Sequence, residues 1–277
     1  MTALELPPLV EARARFRDLL ASEWLKLWSL RSTPWSLLLS GLAVTAFNVG
    51  TAYDHYRWFP SYGPDGQASF VADRMALGDA FTANAAMVLM LCFGAIGALT
   101  VVGEYSTGMI RTTFATVPAR RSVTAAKVVV VLAVTTGAGA IISGVSFAVT
   151  QAVLSGRDVG LSIDEPGALR LVVASTSLAP VSALVGMAVG VLVRHSATTM
   201  VVTVLVLLLV PSVVGDQRHA TAVVAHTLPY RAWMRLVQAG PYEVAFPWSV
   251  GGAWLVYGVW TLVAGVVTVT VVHRRDQ

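Results

Sequence analysis

Charged side chains are sparse along this sequence. One polar segment, GEYSTGMIRTTFATVPARRSVTAAK (Gly103 to Lys127), gathers Glu104, Arg111, Arg120, Arg121 and Lys127 between two apolar stretches. Side chains of these types form ion pairs and charge-assisted hydrogen bonds with carboxylates or phosphates, so their chemistry is docking rather than bond-making. The types that make and break bonds are thinly spread. His55, His195, His219, His226 and His273 stand apart, at loop or span-end positions. Cys92 is the single cysteine, which excludes an internal disulfide and a cysteine-based zinc site; in its apolar run it reads as a small hydrophobe. There is no HExxH and no nucleophile elbow. A phosphate-binding Gly-x-x-x-x-Gly-Lys-Ser/Thr loop is excluded, because the two lysines, Lys26 and Lys127, follow Leu25 and Ala126. No catalytic, metal-binding or cofactor-binding residue is assigned, and an intramembrane enzyme would need a polar catalytic set that is missing.

The elements that must position the charged segment follow from composition. Of 277 residues, 56% are hydrophobic and 12% charged, with a mean hydropathy of +0.70. Soluble domains carry about 25% charged residues. The chain is therefore expected to be an all-α integral membrane protein. About 20 apolar residues cross the hydrocarbon, and six stretches qualify: 35–53, 81–102, 125–154, 171–193 with Pro180, 197–214 with Pro211, and 248–272. No charged residue stands mid-span; Lys127 sits at a span end, where its stem can snorkel. Ion-coupled carriers place charges near the midplane, so an energy source outside this chain is expected.

Six spans put both termini on one side. The side holding the termini and residues 103–127 carries 12 Lys and Arg against 7 on the other, and 6 acidic residues against 9. The positive-inside rule makes it cytoplasmic. The expected organisation is a cytoplasmic arm with an interfacial helix (1–34), a transmembrane unit (35–272) and a cytoplasmic tail (273–277), with outer loops at 54–80, 155–170 and 215–247. The first long apolar run begins near Trp35, so no cleavable signal peptide is expected.

Before the first span, Phe16, Leu19, Leu20, Trp24, Leu27, Trp28 and Leu30 form an apolar stripe at helical spacing, which Glu23 interrupts; Lys26 and Arg31 complete this N-terminal element. It reads as a helix in the inner interface with tryptophans at headgroup level, or as a helix packed on the protein itself. Between the last two spans, Tyr230, Trp233, Met234 and Val237 follow i, i+3, i+4, i+7. This helix is too short to span and is expected to be re-entrant or interfacial on the outer side, or packed on its neighbours. Tyr56, Trp58, Phe59 and Tyr62 suit an outer aromatic belt. Gly186 and Gly190 form a GxxxG, and Gly137, Gly139 and Gly144 are further small positions for close helix approach.

Within the charged segment, Met109 to Ala115 suit a short helix, Pro118 breaks it, Arg120 and Arg121 follow, and Ser122 suits the N-cap of the third span. A helix, a break and a second helix suit a docking surface. At this point the sequence resembles the permease subunits of ABC type-2 exporters. The resemblance rests on Glu104-Tyr105, Gly108, Arg111, Pro118, Arg120-Arg121 and Lys127, with SEWLKLWSLRSTPW (Ser22 to Trp35), LPYRAW (Leu228 to Trp233) and HRRDQ in support.

The resemblance implies a pair of six-span permeases, homodimeric or heterodimeric, each served by a separate ABC-type ATP-binding subunit that holds the ATP and Mg. Residues 103–127 would be the coupling segment that docks on the ATPase, and the outer helix would close the outer end. Glu104 is within reach of Arg111 or Lys127, and the sequence does not choose. Membrane lipid is an expected partner and nucleic acid is not. The apolar spans suit export of a hydrophobic or amphipathic cargo. The alternative is a non-transporting membrane anchor or immunity-type factor that binds a cytoplasmic partner through the same loop.

Overall fold

In the computed structural model, residues 15–109, 112–113, 119–215, 217–238 and 245–275 are described. Among them every regular element is helical. They are α1 (Phe16–Ser29), α2 (Ser32–Trp58), a 3-10 turn (Phe59–Ser61), α3 (Pro64–Ala72), α4 (Met75–Ala80), α5 (Ala83–Ser106), α6 (Arg120–Ser155), α7 (Ala168–Val193), α8 (Ser196–Val204), a π-turn (Leu205–Leu209), α9 (Val210–Val213), α10 (His219–His226), α11 (Pro229–Val237) and α12 (Val250–Arg275). Among the described residues, six helical stretches are long and apolar enough to cross a membrane: Ser32–Ser61, Met75–Ser106, Arg120–Ser155, Ala168–Val193, Ser196–Val213 and Val250–His273. The protein is an all-α membrane protein with six candidate spans.

Several helices outrun the apolar stretches that predict them. At 1.5 Å per residue, the 36 residues of α6 extend about 54 Å, well beyond a hydrocarbon layer of about 30 Å. The extra turns carry the helix to Arg120. The stretch 54–80 is largely helical rather than an open loop: α2 runs on to Trp58, and α3 and α4 follow. Its aromatics divide. Trp58 is exposed, whereas Phe59 and Tyr62 pack around Phe70, Ala52 and Leu154, and Tyr56 lies under the Arg157 guanidinium at 4.6 Å.

α7 is the axis of the bundle. Every residue from Leu178 to Val191 is buried, so the helix is apolar all round, as a core helix must be. Pro180 denies the Thr176 carbonyl its i+4 donor, and Gly139 of α6 backs onto that carbonyl so closely that a Cβ there would stand 2.6 Å from the oxygen. Along the α5–α7 seam, a Cβ on Gly97 would run into the Ala183 carbonyl, and one on Gly186 into that of Gly94. The Gly186–Gly190 pair thus brings two helices of the same chain into backbone contact. Gly137 and Gly144, by contrast, face open space. In the fifth span the π-turn Leu205–Leu209 lies in the turn before Pro211, where widening the helix relieves the clash of the proline ring with the backbone behind it.

At the end opposite α1, the span chain breaks between α4 and α5. Asn48 of α2 closes the break: its Oδ1 accepts from the Thr82 amide (2.9 Å) and hydroxyl (3.1 Å), and its Nδ2 donates to Ser146 Oγ (3.0 Å). Beside it, His55 Nδ1 and Asp79 Oδ2 are 2.6 Å apart, and Gln151 ties the Ala76 carbonyl to the Leu161 amide.

Candidate functional site

The segment 103–127 leaves the bundle at the end of α5 and returns at the start of α6. α5 stops because Gly108 takes a left-handed conformation, φ +71°, which glycine adopts without a Cβ penalty. Met109, Thr112 and Thr113 have helical backbone. Arg111 and Pro118 lie outside the described residues. Arg120 opens α6, and Arg121 is exposed beside it.

The two flanks of the segment meet α1 in one cluster. Lys127 Nζ donates to Glu104 Oε1 at 2.8 Å and to Glu23 Oε2 at 2.5 Å. Lys26 Nζ donates to Glu23 Oε1 at 2.6 Å and stands 3.6 Å from Glu104 Oε1. The Glu23 side chain is 3% exposed, Glu104 10%, Lys127 12% and Lys26 29%, so Lys26 is the member that faces water. Two carboxylates and two ammoniums cancel, which is the condition under which charges tolerate burial. The compact ammonium of lysine, with three rotatable donors on a flexible stem, suits bridging two carboxylates better than the fixed fork of arginine. In a chain with 17 arginines, both lysines come to this cluster.

Tyr105, next to Glu104, is held from the other side: the Arg194 guanidinium at the end of α7 lies 4.7 Å from its ring. A cavity of about 250 Å³, walled partly by Leu30, Leu99 and Val130, borders the charges. The end of α5 is therefore fastened to α6, α1 and α7 within one turn. The arrangement fixes the position of the helix ends. Among the described residues, no group of three or more His, Cys, Asp or Glu could hold a metal ion.

The sequence reading treats Glu23 as a flaw in an apolar stripe. It is the hub of the cluster. The buried face of α1 is Leu19, Glu23 and Leu27, spaced i, i+4, i+8, and it packs near Val123 and Ala126 of α6. Trp24 and Trp28, with ring centroids 5.7 Å apart, point outward with Phe16 and Leu30. One face of α1 thus packs on the protein, and the other is apolar and exposed. The signal in the sequence was a carboxylate on an apolar face, in register with one of only two lysines. Arg31, between α1 and α2, is exposed.

At the other end, the buried face of α11 is Pro229, Tyr230, Ala232, Trp233 and Leu236. It is turned by about one residue from the predicted stripe, since Met234 is 40% exposed and Val237 half-buried. The cause is Trp233, whose Nε1 donates to Ser175 Oγ of α7 at 3.1 Å and draws Leu236 and Ala232 inward with it. Burial pushes the Tyr230 phenol above its ordinary pKa, and Arg231 beside it acts against the shift. Arg235 Nε donates to the Trp248 carbonyl at 2.8 Å, and Arg170 to that of Gln238 at 2.7 Å, closing α11 onto its neighbours.

A family model described as "ABC-2 family transporter protein" matches residues 19–210, which include most of α1, the charge cluster and the first four spans. Comparison with curated proteins gives no match.

Proposed function

We infer the function from a premise the family match supplies: the chain belongs to the ABC-2 transporter family and is a multi-pass, permease-type membrane subunit. Permeases of this family work with ABC ATP-binding subunits. On our reading, this chain forms the translocation path for a hydrophobic or amphipathic cargo in an exporter of a bacterial-type plasma membrane. It works beside a second permease, with both termini in the cytoplasm and a separate ATPase docked beneath residues 103–127. Arg111, Arg120 and Arg121 meet acidic groups of the ATPase or lipid phosphates. The outward face of α1, with Trp24 and Trp28, lies at the headgroup level of the inner leaflet.

One observation carries this reading. Glu104 and Lys127, the residues that flank the segment, are joined to each other and to α1 through Glu23. A lever transmits force only if its root is stiff. A push on the loop would therefore move α1, α5 and α6 together instead of being lost in a flexible connection.

The test is purification of the tagged chain from its native membranes in mild detergent, beside a variant with residues 109–121 replaced by a flexible linker of equal length. An ABC-type ATPase that accompanies the wild type and is lost from the folded variant is the expected result. Reversing the charges of Arg120 and Arg121 is expected to weaken ATPase binding or its stimulation. A well-folded wild type that brings no ATPase even after crosslinking overturns the reading and favours the non-transporting anchor.

A further inference from the structure

A groove of about 720 Å³ runs between α1, α2 and α6. α1 contributes Trp24 and Trp28, α2 the stretch from Leu37 to Thr45, and α6 the stretch from Ala133 to Val145. No charged side chain is among its described lining residues. The hollow comes from missing side chains. A Cβ on Gly137 would meet nothing within 4 Å. At Gly41 the two spans come close beneath it, and a Cβ there would stand 3.3 Å from Ile142 of α6.

The groove is blind at its deep end. There Asn48 Nδ2 donates to Ser146 Oγ at 3.0 Å, and Ser146 Oγ to Thr45 Oγ1 at 3.5 Å, so α2 is clasped to α6. Thr45 lies near the middle of the span Ser32–Ser61. From Ala133 to Val145, at 1.5 Å per residue, the groove is about 18 Å long, and half of a hydrocarbon layer of about 30 Å is about 15 Å. It therefore has the depth of one leaflet. Its rim is continuous with the lipid-facing surface of the two spans, since Leu38, Leu42, Ile141 and Val145 are exposed. An apolar hollow does not hold water, and left empty its walls lose dispersion contacts. A helix of a second copy would need a seam along a whole span, whereas this groove stops halfway.

We propose that the groove holds one acyl chain of a membrane phospholipid, bound in place and drawn from the leaflet on the α1 side, with the head beside Trp24 and Trp28. The chain fills the space between two spans and α1, the helix that brings Glu23 and Lys26 to the charge cluster. The bound lipid is thus a packing element at the root of segment 103–127. That this leaflet is the cytoplasmic one rests on the reading above; the binding itself does not.

The experiment uses the full chain without any ATPase, so its failure leaves the ATP-driven reading standing. The protein is reconstituted with phosphatidylcholine, a share of which carries a diazirine on one acyl chain, and is then washed in mild detergent to strip loosely held lipid. Native mass spectrometry is expected to show a single phosphatidylcholine retained per chain. Illumination is expected to attach it to the lining stretches of α1, α2 and α6. Gly137→Phe fills the hollow without a backbone clash and is expected to abolish retention. Gly258→Phe, at an exposed position of α12 where a Cβ also meets open space, is expected to leave it unchanged. No retained lipid, attachment confined to other helices, or undiminished retention in a folded Gly137→Phe protein overturns the proposal. Retention that appears only when residues 1–14 are deleted also overturns it and assigns the groove to that arm.

Discussion

The charge cluster at the root of α1 and the glycine seam between α5 and α7 both join helices, by opposite means. The seam works by omission. Gly94, Gly97, Gly186 and Gly190 carry no side chain, so two backbones meet with nothing adjustable between them. The cluster works by long side chains. Glu23, Lys26, Glu104 and Lys127 reach across from three helices and brace them against one another at one end. The seam suits a rigid core and the cluster suits a stiff root for the segment that leaves it. In lipid, packing of small residues supplies association that the hydrophobic effect does not, whereas a balanced set of charges joins helices through directional, charge-assisted bonds.

The largest effect is expected in the seam. Gly97→Val or Gly186→Val drives a side chain into a backbone carbonyl and is expected to cost more than about 3 kcal/mol, seen as loss of the monodisperse protein in detergent. A stable, monodisperse variant at both positions would mean the helices can separate, and the contrast would fail.

Next is Lys127→Ala, which leaves Glu23 and Glu104 buried with only Lys26 between them. Removing one partner from a buried pair costs about 3–5 kcal/mol, read as a drop in thermal unfolding temperature. Neutralising the carboxylates as well, in Lys127→Met with Glu23→Gln and Glu104→Gln, is expected to recover most of that stability while ATPase stimulation stays low. Recovery of both would assign the cluster to stability alone.

Lys26→Ala is expected to cost about 1 kcal/mol or less, because its ammonium faces water. High salt would reduce even that, while leaving the Lys127 contribution in place. The smallest effect belongs to Gly144→Ala, where a Cβ meets open space; a shift within about 0.5 kcal/mol is expected. A large loss there would show that small residues matter in this fold for reasons other than close approach.

Six spans, their order and the all-helical class were legible because the bilayer imposes them: 20 apolar residues in a row have few other uses. Boundaries were less legible. The turns of α2, α4 and α6 beyond the apolar runs are held by contacts such as Arg157 on Tyr56 and Gln151 on Ala76, which hydropathy does not register. The GxxxG of the fourth span was visible as a pattern, but its partner was not, since any small-residue face serves for close approach. In the site, Glu104 and Lys127 were singled out, and their pairing stood among two alternatives. Glu23 was passed over, because a carboxylate in an apolar stripe has no partner within its own helix except Lys26.

By itself, then, the sequence determined what had to be buried in lipid, where the chain must re-emerge, and that the polar segment 103–127 interrupts the apolar runs. Local composition decides these, since the transfer free energy of a stretch belongs to that stretch alone. Only the tertiary structure decided that Lys127 serves Glu23, 104 residues away, that Gly186 faces Gly94, and that Trp24 and Trp28 share a cavity with α2 and α6. Ion pairs, close approaches and cavities are properties of two or more helices at once, and their energies exist only after the helices have packed.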